Sequence, residues 1–178
     1  MSGPGDRGAI EPRRPGELVS EAATVDARKA IKIEERIPID RSPNEVYAIW
    51  RNFTRLPEFT EDLESVTTAG DGRSHWVATL PGGKRVEWDA ELVNDIPNQL
   101  IAWKTVGHPN VAHAGSVHFD RAPDGRGTVM RFVIDYEPPA GRLGALVAAF
   151  IRLFGRAPES KIRADLRRFK ERVEAGAS

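Results

Sequence analysis

The chain has 178 residues, with 26 basic and 26 acidic side chains, zero formal net charge and no cysteine. Neutrality argues against a nucleic-acid partner, which calls for a basic surplus on the domain, and the missing cysteine excludes a disulfide framework and thiol chemistry. Apolar residues at 40% and charged residues at 29% are the composition of a soluble globular protein, and the length suits one domain plus a tail.

The first stretch, MSGPGDRGAIEPRRPGELVS, lacks the apolar core of a secretion signal. Residues 1–30 are rich in Pro, Gly, Glu and Arg and poor in aromatics. Such a segment buries too little surface to offset the entropy of ordering, so a flexible N-terminal tail is expected, followed by one domain over residues 31–176. The longest apolar run, LGALVAAFI from Leu143 to Ile151, is far short of the ~20 residues that span a bilayer. No stable membrane insertion is expected, and a cytoplasmic location follows from this reading.

KIEERIPID sets Ile33, Glu35, Ile37 and Ile39 on one face against Lys32, Glu34 and Arg36, the alternation of a strand with one better-buried side. RSPNEVYAIW then opens a helix. Ser42 stands at the N-cap, Pro43 at the first position and Glu45 at the third, a capping box with the favoured first-turn proline. Val46, Tyr47, Ile49, Trp50 and Phe53 form its apolar stripe. Pro57 ends or interrupts this helix, and LPEF begins a second short one. After residue 62 the period becomes two, giving six strands: LESVTTA, SHWVATL, KRVEWDAELVND, LIAWKTV, AHAGSVHFDRA and GTVMRFVIDYE. The connections GDGR, PGGK, DIPNQ, GHPN and PDGRG carry turn chemistry, and connections this short join antiparallel neighbours. Helical periodicity returns in GRLGALVAAFIRLFGR and PESKIRADLRRFKERVEAG, with a break at Gly155–Pro158. Ile162, Leu166, Phe169 and Val173 recur at helical spacing in the second piece. The fold class is therefore α+β: a seven-stranded curved antiparallel sheet wrapped around a long C-terminal helix, with two short helices after the first strand.

Strand positions two apart share a face. Trp76 falls with Ala78 and Leu80. Trp88 falls with Ala90 and Leu92, and Trp103 with Ile101 and Thr105. Gly115, Val117 and Phe119 make another set, and Met130, Phe132, Ile134 and Tyr136 a fifth. Large aromatics beside Ala, Gly and Thr fit two interiors, an interdigitated core or a hollow with aromatic walls, and parity does not choose between them. In the hollow reading the lining comprises Tyr47, Trp50, Trp76, Trp88, Ala90, Trp103, Thr105, Val117, Met130, Phe132, Tyr136, Phe150 and Phe154.

The segments SPNEVYAIWRNFTRLPEF, VEWDAELVNDIPNQLIAWKT and GSVHFDRAPDGRGTVMRFVIDYEPPAG, with the closing helix, resemble the polyketide cyclase/dehydrase group of the START-like, helix-grip superfamily. The resemblance spans residues 32–175. It implies the helix-grip fold and a protein that takes a small hydrophobic molecule, such as a lipid, polyketide or quinone; some members are enzymes. It transfers no reaction by itself.

A cyclase needs an acid or base against the polyketide carbonyls. The inward faces offer only the hydroxyls of Thr105, Thr128 and Tyr136, with Tyr47 on the first helix, and none has a basic partner on its face. No catalytic residue is assigned, and whether the chain is an enzyme stays open. Tyr136 is read either as a donor to a ligand or as a rim residue with its hydroxyl in water. His108, His113 and His118 have a metal-like spacing, but His113 and His118 face opposite sides of a strand and His108 lies in a turn, so no metal is expected. His75 and His118 fall on the outer face and are read as solvent-exposed. Glu87, Asp89 and Glu91 form an outer row paired with Lys104 and Arg85, and Arg131 and Asp135 belong to the same face. LGALVAAFIRLF is read as burying against the sheet, with Phe150 and Phe154 on one side. The basic residues of KIRADLRRFKER are balanced by Glu159, Asp165, Glu171 and Glu174, a solvated helix face. No phosphate loop, nucleophile elbow or dinucleotide fingerprint is present, so no cofactor is expected. Three functions stay in view: binding of a small hydrophobic or aromatic ligand between sheet and C-terminal helix; a cyclase/dehydrase-type enzyme using Tyr136 or Tyr47 with a threonine; and a regulatory or protein-interaction module with a filled core. The expected partner is a small hydrophobic molecule, not nucleic acid or a membrane, bound by a monomer or homodimer.

Overall fold

The computed structural model describes residues 30–79, 83, 85–107, 112–137 and 158–176. The N-terminal segment before residue 30, His108, the apolar run at 143–151, Phe150 and Phe154 lie outside them.

Seven strands form one antiparallel sheet: β1 (Ile31–Ile39), β2 (Leu63–Thr68), β3 (Arg73–Thr79), β4 (Arg85–Ile96), β5 (Leu100–Val106), β6 (His113–Arg121) and β7 (Thr128–Tyr136). The order across the sheet is β1-β7-β6-β5-β4-β3-β2. From β2 to β7 each strand pairs with the next, as short turns require, and β1 closes the far side against β7. Between β1 and β2 come α1 (Pro43–Arg51) and a 3-10 helix (Phe53–Glu58), and α2 (Pro158–Glu174) ends the fold. The seven-stranded curved sheet, the two short helices and the C-terminal helix are the helix-grip architecture.

Local chemistry accounts for the boundaries. The Ser42 hydroxyl accepts the Glu45 N–H, and the Glu45 carboxylate accepts the Ser42 N–H at 2.9 Å, so two orphan donors of the first turn are satisfied together. Pro57 lies inside the 3-10 helix rather than stopping it. The β4–β5 turn has Pro97 at its second position and Asn98 at φ 65, with the Gln99 N–H on the Ile96 carbonyl at 3.0 Å. Asparagine tolerates this left-handed position in a turn of type II pattern.

The core lies on the sheet face that α1, the 3-10 helix and α2 cover. Phe169 of α2 is its hub. Trp50 meets it edge-on at 5.0 Å between ring centroids and Phe59 at 5.1 Å, the T-shaped geometry that ring quadrupoles favour. Ile162, Leu166, Phe169 and Val173 are all buried, one stripe of α2 pressed on the sheet.

Candidate functional site

Between the sheet and α2 lies a cavity of about 200 Å³. Its sheet wall comes from the six strands β2 to β7. Trp76 and Trp88 are directly opposed across the β3–β4 ladder, and their rings lie nearly parallel, 15° apart at 6.0 Å. Ala90 is the next inward position of β4 and is 1% exposed. Only a methyl group projects into this part of the wall. Trp103 pairs with Gly115 of β6, and a Cβ on that glycine would stand 2.4 Å from the indole. The missing side chain lets the indole lie down against the sheet. The opposite wall is Trp50 of α1, Phe53, Leu56 and Phe59 around the 3-10 helix, and Ile162, Leu166 and Phe169 of α2.

Six residues expected in the lining stand there: Trp50, Trp76, Trp88, Ala90, Trp103 and Phe132. Five are placed elsewhere. Val117 and Met130 are completely buried core residues. The Thr105 hydroxyl is used by the β6 backbone, accepting the His113 N–H at 3.1 Å and facing its carbonyl at 3.2 Å. Tyr136 is 4% exposed and belongs to the buried core, so the picture of a rim tyrosine with its hydroxyl in water is corrected. Tyr47 packs edge-on against Phe119 at 5.6 Å and donates its hydroxyl to Asp95 at 2.6 Å. Burial, and then that hydrogen bond, push its pKa up to about 12, so it keeps its proton.

Asp95 reaches Tyr47 because of a β-bulge. Between Leu92 and Asn94 the β4–β5 register slips by one residue, which leaves Val93 exposed. The slip reverses parity, so Asp95 pairs with the buried Ile101 and turns toward α1. There it also receives Arg51 at 2.6 Å.

The outer face holds one expectation and corrects another. His75 is outward with its side chain 44% exposed, Nδ1 2.8 Å from Asp89 and Nε2 3.7 Å from Glu87. Glu91 pairs in register with Lys104, and Arg85 lies 3.1 Å from Glu64 and 3.8 Å from Glu87. His118 is outward but half-buried, 3.2 Å from the Ser116 hydroxyl, and desolvation pushes its pKa down. Among the described residues no His, Asp and Glu cluster could hold a metal ion, and no helix is long and apolar enough to cross a membrane.

Asp165 is the larger correction. It does not belong to a solvated face: with Lys161 and Asp62 it lines the cavity, its side chain 17% exposed and that of Lys161 18%. His113 also lines the cavity. Its parity with Gly115, Val117 and Phe119 already places it inward.

The residues 30–174 match the family described as polyketide cyclase / dehydrase and lipid transport. The chain belongs to that family. An uncharacterised 17.2 kDa protein of Streptomyces lincolnensis, from the melC2-rnhH intergenic region, is 30% identical over 145 residues, 80% of this chain and 89% of that protein. DR_A0006 from Deinococcus radiodurans is 31% identical in sequence and superposes with a TM-score of 0.65, covering 82% of this chain and 98% of its own. The Zhui aromatase/cyclase from Streptomyces sp. R1128 covers 84% of this chain and 96% of its own with a TM-score of 0.66, at 16% identity, a likeness of fold.

Proposed function

We propose that this protein binds a small hydrophobic or aromatic molecule, of the lipid, polyketide or quinone-like kind, inside the cavity between the sheet and α2. The observation that carries the reading is the apolar space of about 200 Å³ walled by Trp50, Trp76, Trp88, Trp103 and Phe132. A packed interior leaves few voids larger than a water molecule, and an apolar cavity of ~150 Å³ takes up benzene. Ligand pockets more often measure ~300–1,000 Å³, so the fit is to a compact ligand. Family membership supports the same reading, as do aromatase/cyclases among the proteins of like fold.

The test is uptake of the fluorescent dye 1-aminoanthracene. Binding should shift its emission to the blue and quench the indoles around it. Ala90→Phe should fill the space and weaken uptake at least tenfold in a protein that still unfolds cooperatively. If the parent takes up no dye, or if Ala90→Phe binds it as well as the parent does, the ligand-binding reading is wrong. In the first case, an unfolding cost of ~1–3 kcal/mol for Ala90→Phe would mark an overpacked core instead.

A further inference from the structure

Two hydroxyls flank Ala90 on the inward face of the sheet. Ser74 of β3 is directly opposite Ala90 on one side, and Thr105 of β5 on the other. They differ in what holds their protons. The Thr105 hydroxyl is closed on the β6 backbone, between the His113 N–H at 3.1 Å and the His113 carbonyl at 3.2 Å. Ser74 lines the cavity and is only 7% exposed. Its oxygen accepts the Trp76 indole N–H at 2.8 Å, and no acceptor among the described residues takes its own proton. A hydroxyl has one donor and two acceptor sites, and its hydrogen rotates to suit. The indole occupies one acceptor site and leaves the donor over. A buried donor without a partner is costly, and the free volume beside this one is the cavity.

Counting protons decides what Ser74 can take. An alcohol brings a second O–H, so whichever hydroxyl donates, one proton is left without a partner. An amine has the same defect. A carbonyl brings acceptor sites and no donor, so a single bond from Ser74 satisfies both groups. The other cationic donor of the wall, Lys161, is already held by Asp62 at 2.8 Å and lies 3.7 Å from Asp165.

We propose that the cavity ligand carries a carbonyl oxygen on an aromatic body, an aryl ketone or quinone-type head that accepts the Ser74 proton while its ring lies against Ala90, Trp76 and Trp88. This rests on the ligand-binding reading above and adds the chemistry of the head group. It makes Ser74 a specificity-determining residue.

The experiment is displacement of 1-aminoanthracene from the full chain by three matched probes: tetralin, 1-tetralone and 1-tetralol. A wholly apolar site ranks tetralin first, because an oxygen without a partner costs desolvation. The proposal ranks 1-tetralone first, by about fivefold, the size of a net neutral hydrogen bond. 1-Tetralol, whose own proton has no place, should fall below 1-tetralone. Ser74→Ala should abolish the preference for 1-tetralone and leave tetralin affinity within about twofold. Infrared spectra give a second readout on the unaltered protein. The carbonyl stretch of bound 1-tetralone should lie below its value in hexane, as a hydrogen-bonded carbonyl does. Tetralin binding as tightly as 1-tetralone, or a carbonyl stretch at the hexane value, overturns the carbonyl head and leaves the cavity reading standing. A 1-tetralone preference that survives Ser74→Ala overturns the role of Ser74. Failure of the dye itself to bind overturns both readings together.

Discussion

Trp103 can lie against the sheet because its cross-strand neighbour is Gly115. On any other residue the Cβ would stand 2.4 Å from the indole Cζ2 and 2.8 Å from Cε2, closer than carbon atoms approach. The backbone conformation of Gly115 is an ordinary one, so the requirement is space and not dihedral freedom. Gly115→Ala should therefore displace the indole and cost ~1–3 kcal/mol, the usual range for overpacking. Urea unfolding checks the cost, and a change in tryptophan emission checks that Trp103 is what moves. An unchanged midpoint with unchanged emission would show that the indole has room the packing denies it. Because Trp103 lines the cavity, the same substitution should also alter dye uptake, which ties a packing residue to the site.

Element by element, the C-terminal end of α2 is fastened to the β1–α1 connection. The Glu174 carboxylate accepts the Asp40 N–H at 2.7 Å and a bond from Lys170, the Arg41 guanidinium bonds the Glu174 carbonyl, and Lys170 reaches the Pro38 carbonyl at 2.7 Å. The Arg41 bond satisfies a carbonyl that the helix end leaves without an internal partner, and the four contacts together tie the end of α2 to the chain around Pro38–Arg41. The Asp40 N–H, then Lys170, hold the Glu174 carboxyl below its usual pKa of 4.5. A depressed folded-state pKa means stability that is present above about pH 4.5 and is lost as pH falls through the folded value. Glu174→Gln should therefore be less stable than the parent at pH 7, by a few tenths to ~1 kcal/mol for a solvent-screened group. The gap should close as the pH is taken below about 4.5. A gap of constant size across that range would assign the effect to shape and not to charge. The bulge in β4 works at the same scale. One extra residue, Val93, carries Asp95 to Tyr47 and Arg51 and so joins the sheet to α1.

For the molecule as a whole, the elements from Ile31 to Glu174 account for the sheet, its covering helices and the cavity. The composition of residues 1–29 supports the proposal that they form a tail outside this unit. A chain begun at Ala30 should accordingly melt within about two degrees of the full chain; for a domain this size a loss of 1 kcal/mol shifts the midpoint by ~2–4 °C. A larger fall would mean that the N-terminal segment packs on the domain. Dye uptake by the shortened chain should match that of the full chain, since every described residue of the cavity wall lies after residue 49.

Much of this was legible along the chain because its causes are local. The capping box at Ser42 and Glu45, the period-two strands, the turn at Pro97–Asn98 and the helical stripe from Ile162 to Val173 each depend on residues a few positions apart, and backbone geometry turns such spacing directly into structure. Parity alone put Trp76, Trp88, Ala90, Trp103 and Phe132 on the cavity side. What spacing could not carry was anything set by elements distant in sequence. Asp165 reads as one of several charges balancing a basic helix, yet the segment holding Asp62 and Phe59 closes over it and takes it out of water. Strict alternation along β4 would set Asp95 on the face of Glu87, Asp89 and Glu91, and a bulge, which alternation does not announce, turns it inward. Tyr47 and Tyr136 carry hydroxyls on plausible faces, but Tyr47 packs on Phe119 and bonds Asp95, and Tyr136 is buried in the core outside the cavity lining. Whether aromatic walls meet or stand apart depends on how far α2 is held from the sheet. That distance is the sum of side-chain volumes contributed by α1, the 3-10 helix and six strands together. No single stretch of the chain contains it, so tertiary structure alone decided that the interior is hollow.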